Sequence, residues 1–104
     1  MTTVYISIGN SDDKLTQVEW CSFVVDVVEA LEDAFFDNAG EIHGNWFSPT
    51  ASPFQNACWC IEIPVRAHDA LQAKLKALAG KYQQDSIAWA PALTQFLRPE
   101  PATT

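Results

Sequence analysis

The chain has 104 residues, 48% of them hydrophobic, and carries 13 acidic against 6 basic residues for a net charge of −7. That size suits one domain around a single core, and that hydrophobic share excludes a globally disordered chain. The charge argues against a nucleic-acid backbone or an anionic membrane as main partner, because both reward Lys and Arg, whereas a basic protein partner is compatible with it.

The start, Met1-Thr2-Thr3-Val4-Tyr5-Ile6, lacks the basic and long apolar regions of a secretory signal, and no stretch has membrane-spanning length. A cytoplasmic protein is expected. Val4-Tyr5-Ile6-Ser7-Ile8 alternates and is β-branched, which predicts a first strand with Val4, Ile6 and Ile8 on the core side. Gly9-Asn10-Ser11-Asp12-Asp13 is a polar turn cluster whose Asn and Asp side chains suit local backbone amides. Thr16-Gln17-Val18-Glu19 fits a capping box, with Leu15 and Trp20 at the positions of a hydrophobic staple. A helix follows, with Trp20, Phe23, Val24, Val27, Leu31, Ala34 and Phe35 at helical spacing, running to about Phe36 and closed by Asn38-Ala39-Gly40.

Ile42 to Phe47 reads as the second strand. Ile42, Gly44 and Trp46 share one parity and His43, Asn45 and Phe47 the other; either suits the core, and the bulk of Trp46 favours the first. Ser48-Pro49-Thr50-Ala51-Ser52-Pro53 is a loop, since two prolines do not fit a central strand. The next strand, Gln55 to Ile63, sets Ala57, Trp59, Ile61 and Ile63 on a core face and Asn56, Cys58, Cys60 and Glu62 on the opposite one. A short link, Pro64–Ala67, leads to a helix with Leu71, Leu75, Leu78 and Tyr82 as its stripe, in which Gly80 either caps early or weakens the last turn. Ser86-Ile87-Ala88-Trp89-Ala90 is the last strand, stopped by Pro91. Leu93, Phe96 and Leu97 offer one more helical turn for docking, and residues 99–104 read as a frayed tail, which places the single domain at 1–98.

The order β-α-β-β-α-β with right-handed crossovers predicts an α+β chain of ferredoxin-like fold. It has a four-stranded antiparallel sheet, both helices on one face, and Val4–Ile8 and Gln55–Ile63 as inner strands. By parity the uncovered face collects Tyr5, Ser7, His43, Asn45, Phe47, Asn56, Cys58, Cys60, Glu62, Ser86, Ala88 and Ala90, with Glu62 its one formal charge. Such a face suits a homodimer interface or a shallow ligand surface, unless Phe96 and Leu97 of the same chain cover it.

Sharper chemistry on this face is incomplete. Cys58, Cys60 and His43 are three soft metal ligands without an obvious fourth. A Cys–His nucleophile oriented by Glu62 or Asn45 lacks any spacing that fixes its geometry. RNA binding by the sheet needs basic and aromatic residues where the third strand has Asn, Cys, Cys and Glu. The loop Gly9–Lys14 has no phosphate-cradling spacing and too few acidic ligands for a cation. No catalytic residue, metal or cofactor is therefore expected, and the odd cysteine count suits free thiols in a reducing compartment.

Charge is unevenly placed. Ten of the thirteen acidic residues fall before Ile63, alongside one lysine. The first helix is the main source, with Glu19, Asp26, Glu29, Glu32 and Asp33 and with Asp37 just beyond, and Glu29 to Asp37 crowd its C-terminal end, where the macrodipole disfavours anions. They form an ordinary solvated face, or Lys74, Lys76 and Lys81 of the second helix neutralise them in part, or they make a surface that meets a basic partner.

Taken together, Ile8-Gly9-Asn10-Ser11-Asp12-Asp13-Lys14-Leu15, Gln55-Asn56-Ala57-Cys58-Trp59-Cys60 and Gln84-Asp85-Ser86-Ile87-Ala88-Trp89-Ala90 resemble stretches of small uncharacterised proteins of actinobacteria and their phages. The resemblance spans the first strand to the last. It implies no activity; it suggests a small intracellular, phage-borne protein that acts by binding a host protein. Two functions stay open. One is a non-enzymatic module that meets a basic protein through the acidic helix or the open face. The other resembles the dimeric α+β barrel proteins, in which two open faces enclose a small molecule among Tyr5, His43, Asn45, Cys58 and Cys60, with His43 as proton-transfer group.

Overall fold

Capping chemistry, strand alternation and one bulge fix where each side chain points. The computed structural model describes residues 1–10, 14–38, 40–49, 52 and 54–101, with residues 37 and 38 by their backbone alone. Expectations placed on Ser11, Asp12, Asp13, Ala39, Thr50, Ala51, Pro53, the side chain of Asp37 and residues 102–104 lie outside these. In chain order the elements are β1 (Thr2–Gly9), α1 (Gln17–Asn38), β2 (Glu41–Phe47), β3 (Asn56–Ile63), a single 3-10 turn (Val65–Ala67), α2 (His68–Lys81) and β4 (Ala88–Ala92). The protein is α+β, with one four-stranded antiparallel sheet in the order β2-β3-β1-β4 and two helices. β1 and β3 are the inner strands.

Strand alternation reads directly into burial. Val4, Ile6 and Ile8 of β1 and Ala57, Trp59, Ile61 and Ile63 of β3 are buried, and their opposite-parity neighbours are not. These residues share one core with Trp20, Phe23, Val27 and Leu31 of α1 and Leu71 and Leu75 of α2, so both helices cover the same sheet face. Phe23 and Tyr82 stack at 4.7 Å between ring centres and tie α1 to the end of α2.

The capping box forms in both directions: the Glu19 amide donates to Thr16 Oγ1 at 3.2 Å, and the Thr16 amide donates to Glu19 Oε1 at 3.0 Å. The bond from the Thr16 amide, then the Thr16 hydroxyl, hold the Glu19 carboxyl below its ordinary range. Before it, Asn10 is the buried polar residue among those described, 1% exposed. Its side chain accepts from the Leu15 amide and donates to the Leu15 carbonyl, both at 3.0 Å, while its own amide donates to the Gln55 carbonyl at 2.7 Å. Gln55 and Gln17 then exchange amide hydrogen bonds at 2.8 and 3.1 Å, pinning the start of α1 to the start of β3.

Gly40, between α1 and β2, allows a close approach: a Cβ there would come within 2.6 Å of Phe35 Cδ1 and 2.7 Å of the Glu62 carbonyl oxygen. Gly80, expected to cap or weaken α2, lies inside the helix. The residue in the left-handed region is Gln83, at φ 55°. The Gln84 amide reaches the Ala79 carbonyl at 2.8 Å and the Gln83 amide reaches Gly80 at 3.2 Å, the paired bonds of a Schellman close.

Three expectations are corrected. In β2 the register against β3 runs Ile42↔Ile61, then Gly44↔Cys60, Asn45↔Trp59, Trp46↔Cys58 and Phe47↔Ala57, with an irregularity at His43. The extra residue flips the parity, because directly opposed residues share a face. Asn45 and Phe47 therefore belong to the helix side, with Phe47 edge-on to Trp59 at 5.8 Å, and Trp46 belongs to the open side. In β4 the strand begins at Ala88 rather than Ser86 and runs through Pro91, which pairs with Val4. β4 is an edge strand, where a missing amide donor is tolerated. Finally, Leu93, Phe96 and Leu97 form no helical turn; they are exposed beyond β4 and leave the sheet face uncovered.

Candidate interaction surface

The face away from the helices is built in rows by the strand register. One row runs Trp46, Cys58, Ser7, Ala88; the next runs Gly44, Cys60, Tyr5, Ala90; the third runs Glu41, Glu62, Thr3, Ala92. Asn56 lies beyond the first row, opposite Gly9. The first two rows cross all four strands without a formally charged side chain, on a protein of net charge −7. Trp46 stands 55% exposed at one edge and Tyr5 44% exposed near the centre.

Polar contacts on this face are few. The Cys60 thiol beside the Tyr5 hydroxyl raises the phenol above its ordinary value. Cys58, Cys60 and Cys21 are free thiols. His43, on the bulge, brings Nε2 to 2.9 Å from Glu62 Oε2 and Nδ1 to 3.7 Å from Glu41 Oε1. The cluster that the fold assembles around His43 is thus two glutamates, with ligand atoms within 4.8 Å of one another, rather than the two thiols. The contact with Glu62 is at hydrogen-bond distance, and the approach to Glu41 is longer than one. Asn45, on the other parity, does not join this group.

Of the residues expected to form this face, Tyr5, Ser7, His43, Asn56, Cys58, Cys60 and Glu62 lie on it, and Asn45 and Phe47 do not. Ser86 precedes β4 and lines a separate cavity of about 520 Å³ between α2 and β4, beside Leu75, Ile87 and Trp89. Sequence reasoning missed Trp46 and Glu41. The signal that points to them is Gly44: a glycine inside a strand marks a bulge, and a bulge reverses every assignment after it.

On α1, Glu29, Glu32 and Asp33 are exposed, while Asp26 is half-buried and committed within the chain. Tyr82 Oη donates to Asp26 Oδ2 at 2.5 Å and Lys81 Nζ approaches the same oxygen at 2.9 Å. Lys74 stands 4.0 Å from Asp33. The α2 lysines therefore answer part of the acidic charge. The Tyr82 hydrogen bond, then Lys81, hold the Asp26 carboxyl below its ordinary range, and Asp26 in turn holds the Lys81 ammonium above its own. A depressed folded-state value means that this carboxylate stabilises the fold above the unfolded value, about 3.9, and that the gain is lost as pH falls through the folded value. Wild type is expected to lose more thermal midpoint than Asp26→Asn on acidification below about pH 4. Identical pH profiles for the two would contradict the assignment.

Among the described residues no helix is long and apolar enough to cross a membrane. No family model matches the chain, and no curated protein matches it either.

Proposed function

We propose that the protein is a non-enzymatic interaction module on a ferredoxin-like fold, and that the open face of its sheet is the contact surface through which it self-associates. One observation carries this reading: two adjacent rows spanning four strands are free of formal charge and uncovered, although the chain as a whole is strongly acidic. A monomer gains nothing by leaving Trp46 and Tyr5 on such a patch, whereas burying them against a second surface is favourable. The strand order, with inner β1 and β3 flanked by β4 and β2, is the order a split β-α-β pair produces, and both helices on one side leave this face free.

The acidic side of α1 supports a partner less well, because Asp26 already bonds Tyr82 and Lys81. Glu29 and Glu32 remain exposed and would add electrostatic steering toward a basic protein rather than a binding core. The ligand-enclosing version of a face-to-face dimer loses Asn45 from its lining.

Light scattering after size exclusion is expected to give a mass above the 11.5 kDa of one chain, falling toward 11.5 kDa for Ala88→Arg. Ala88 sits in the first row at the exposed sheet edge, so the arginine charges the face without entering the core. A monomer in both cases, or an oligomer that Ala88→Arg does not weaken, would contradict the proposal.

A further inference from the structure

Beyond Ala92 the chain continues through residues 93–101 without joining any element. Its three large apolar side chains stay in solvent, with Leu93 94%, Phe96 86% and Leu97 91% exposed. The molecule measures 61 × 35 × 20 Å with a radius of gyration of 16.3 Å, against about 13 Å for a compact chain of this size. An arm that packs on no described element enlarges both figures. Nine extended residues reach about 30 Å, more than the roughly 19 Å width of four strands.

The apolar arm and the uncharged face are two unsatisfied surfaces of the same chain. They do not meet within one molecule. β4 ends where Ala92 pairs with Thr3, at the edge of the sheet's third row, and the arm leaves from there. No Gly, Asn or Asp lies between Ala90 and Arg98 to reverse it, and Pro99 favours an extended Arg98.

We propose that the arm of each protomer crosses the open face of a second copy, so that two chains exchange arms about a two-fold axis. The proposal rests on the reading of the open face as contact surface and names its occupant. Phe96 and Leu97 lie over Cys58, Cys60, Tyr5 and Trp46, and Arg98 is set against Glu41 and Glu62.

Area and charge favour this occupant. Three rows on four strands cover roughly 20 by 19 Å, or about 400 Å², half of the ~800 Å² that each partner of a stable interface buries. The face alone is therefore too small. An arm given and an arm received, each with three large apolar side chains, supply the missing half. Two copies of net charge −7 repel, and the contact forms where charge is lowest. Arg98, the cation of the arm, matches the acidic corner at Glu41 and Glu62. A two-fold axis satisfies both arms at once and closes the assembly at two chains.

Light scattering on the intact chain, on Phe96→Ser/Leu97→Ser and on Ala88→Arg separates this inference from the broader reading. The intact chain is expected to be a dimer, and the arm variant to dissociate about 100-fold more readily or worse with an unchanged circular dichroism spectrum. If Ala88→Arg is monomeric while the arm variant dimerises like wild type, the arm exchange is overturned and the face stands. If neither variant weakens the dimer, or the intact chain is a monomer, both fall. Placement is read separately: with Cys21→Ser, Leu97→Cys treated with diamide is expected to give a disulfide-linked dimer that Cys58→Ser/Cys60→Ser abolishes. A cross-link that survives loss of both thiols would overturn the placement.

Discussion

Trp59→Ala is expected to lower stability by about 3–5 kcal/mol, whereas Trp46→Ala is expected to change it by less than about 1 kcal/mol. The two tryptophans differ in burial rather than in chemistry. Trp59 is 1% exposed at the centre of β3, packed edge-on against Phe47 and within the cluster that joins both helices to the sheet. Its removal forfeits transfer energy and leaves a cavity that Ile6, its cross-strand partner, and Phe47 fill only in part. A domain of this size has about 5–15 kcal/mol of stability in all, so the loss is a large share of the total. Trp46 stands on the open face, and its loss is expected to weaken association instead. Urea denaturation of both variants in the monomeric Ala88→Arg background, with the slope unchanged, measures the contrast apart from association. Comparable destabilisation by the two would contradict the register that places them on opposite faces.

The second large effect belongs to Asn10. Asn10→Ala is expected to cost about 2–4 kcal/mol, since it leaves the buried Leu15 amide and carbonyl without the partners that one carboxamide supplies to both. Asn10→Asp keeps the acceptor for the Leu15 amide but turns a second oxygen toward the Leu15 carbonyl and Gln55 Oε1, where Asn10 Nδ2 donates at 3.0 and 3.1 Å. A buried carboxylate there is favoured by protonation, so its folded-state value rises above about 3.9. The sign follows: the fold holds the proton more tightly, and stability relative to wild type recovers as pH falls toward the unfolded value. Thermal midpoints of the two proteins from neutral to acidic pH measure this. A gap that stays constant with pH would remove Asn10 Nδ2 as the essential donor.

Much of the fold was legible because local chemistry and burial agree. Thr16 and Glu19 cap α1 where their spacing says they should, and Ala57, Trp59, Ile61 and Ile63 alternate into the core without interruption. β2 was the harder case. Neither of its parities is purely apolar, so the register is decided by the extra residue at His43 and not by hydrophobic pattern. Trp46, judged by bulk to face inward, is carried outward by that one step. Pro91 marks the expected end of the last strand, yet β4 runs through it, because an edge strand tolerates a missing amide donor. Leu93, Phe96 and Leu97 are apolar enough to predict a docked turn, but with no partner element in reach after β4 among the described residues they stand exposed.

The most direct test of the open face as a contact surface uses the native thiols. Cys58 and Cys60 lie in its first two rows, and Cys21, exposed on α1, is an internal reference on the same chain. Alkylation rates at all three are followed as protein concentration rises through the association range. Cys58 and Cys60 are expected to slow together while Cys21 keeps its rate, and Ala88→Arg is expected to abolish the slowing. Equal behaviour of the three thiols at every concentration would contradict it.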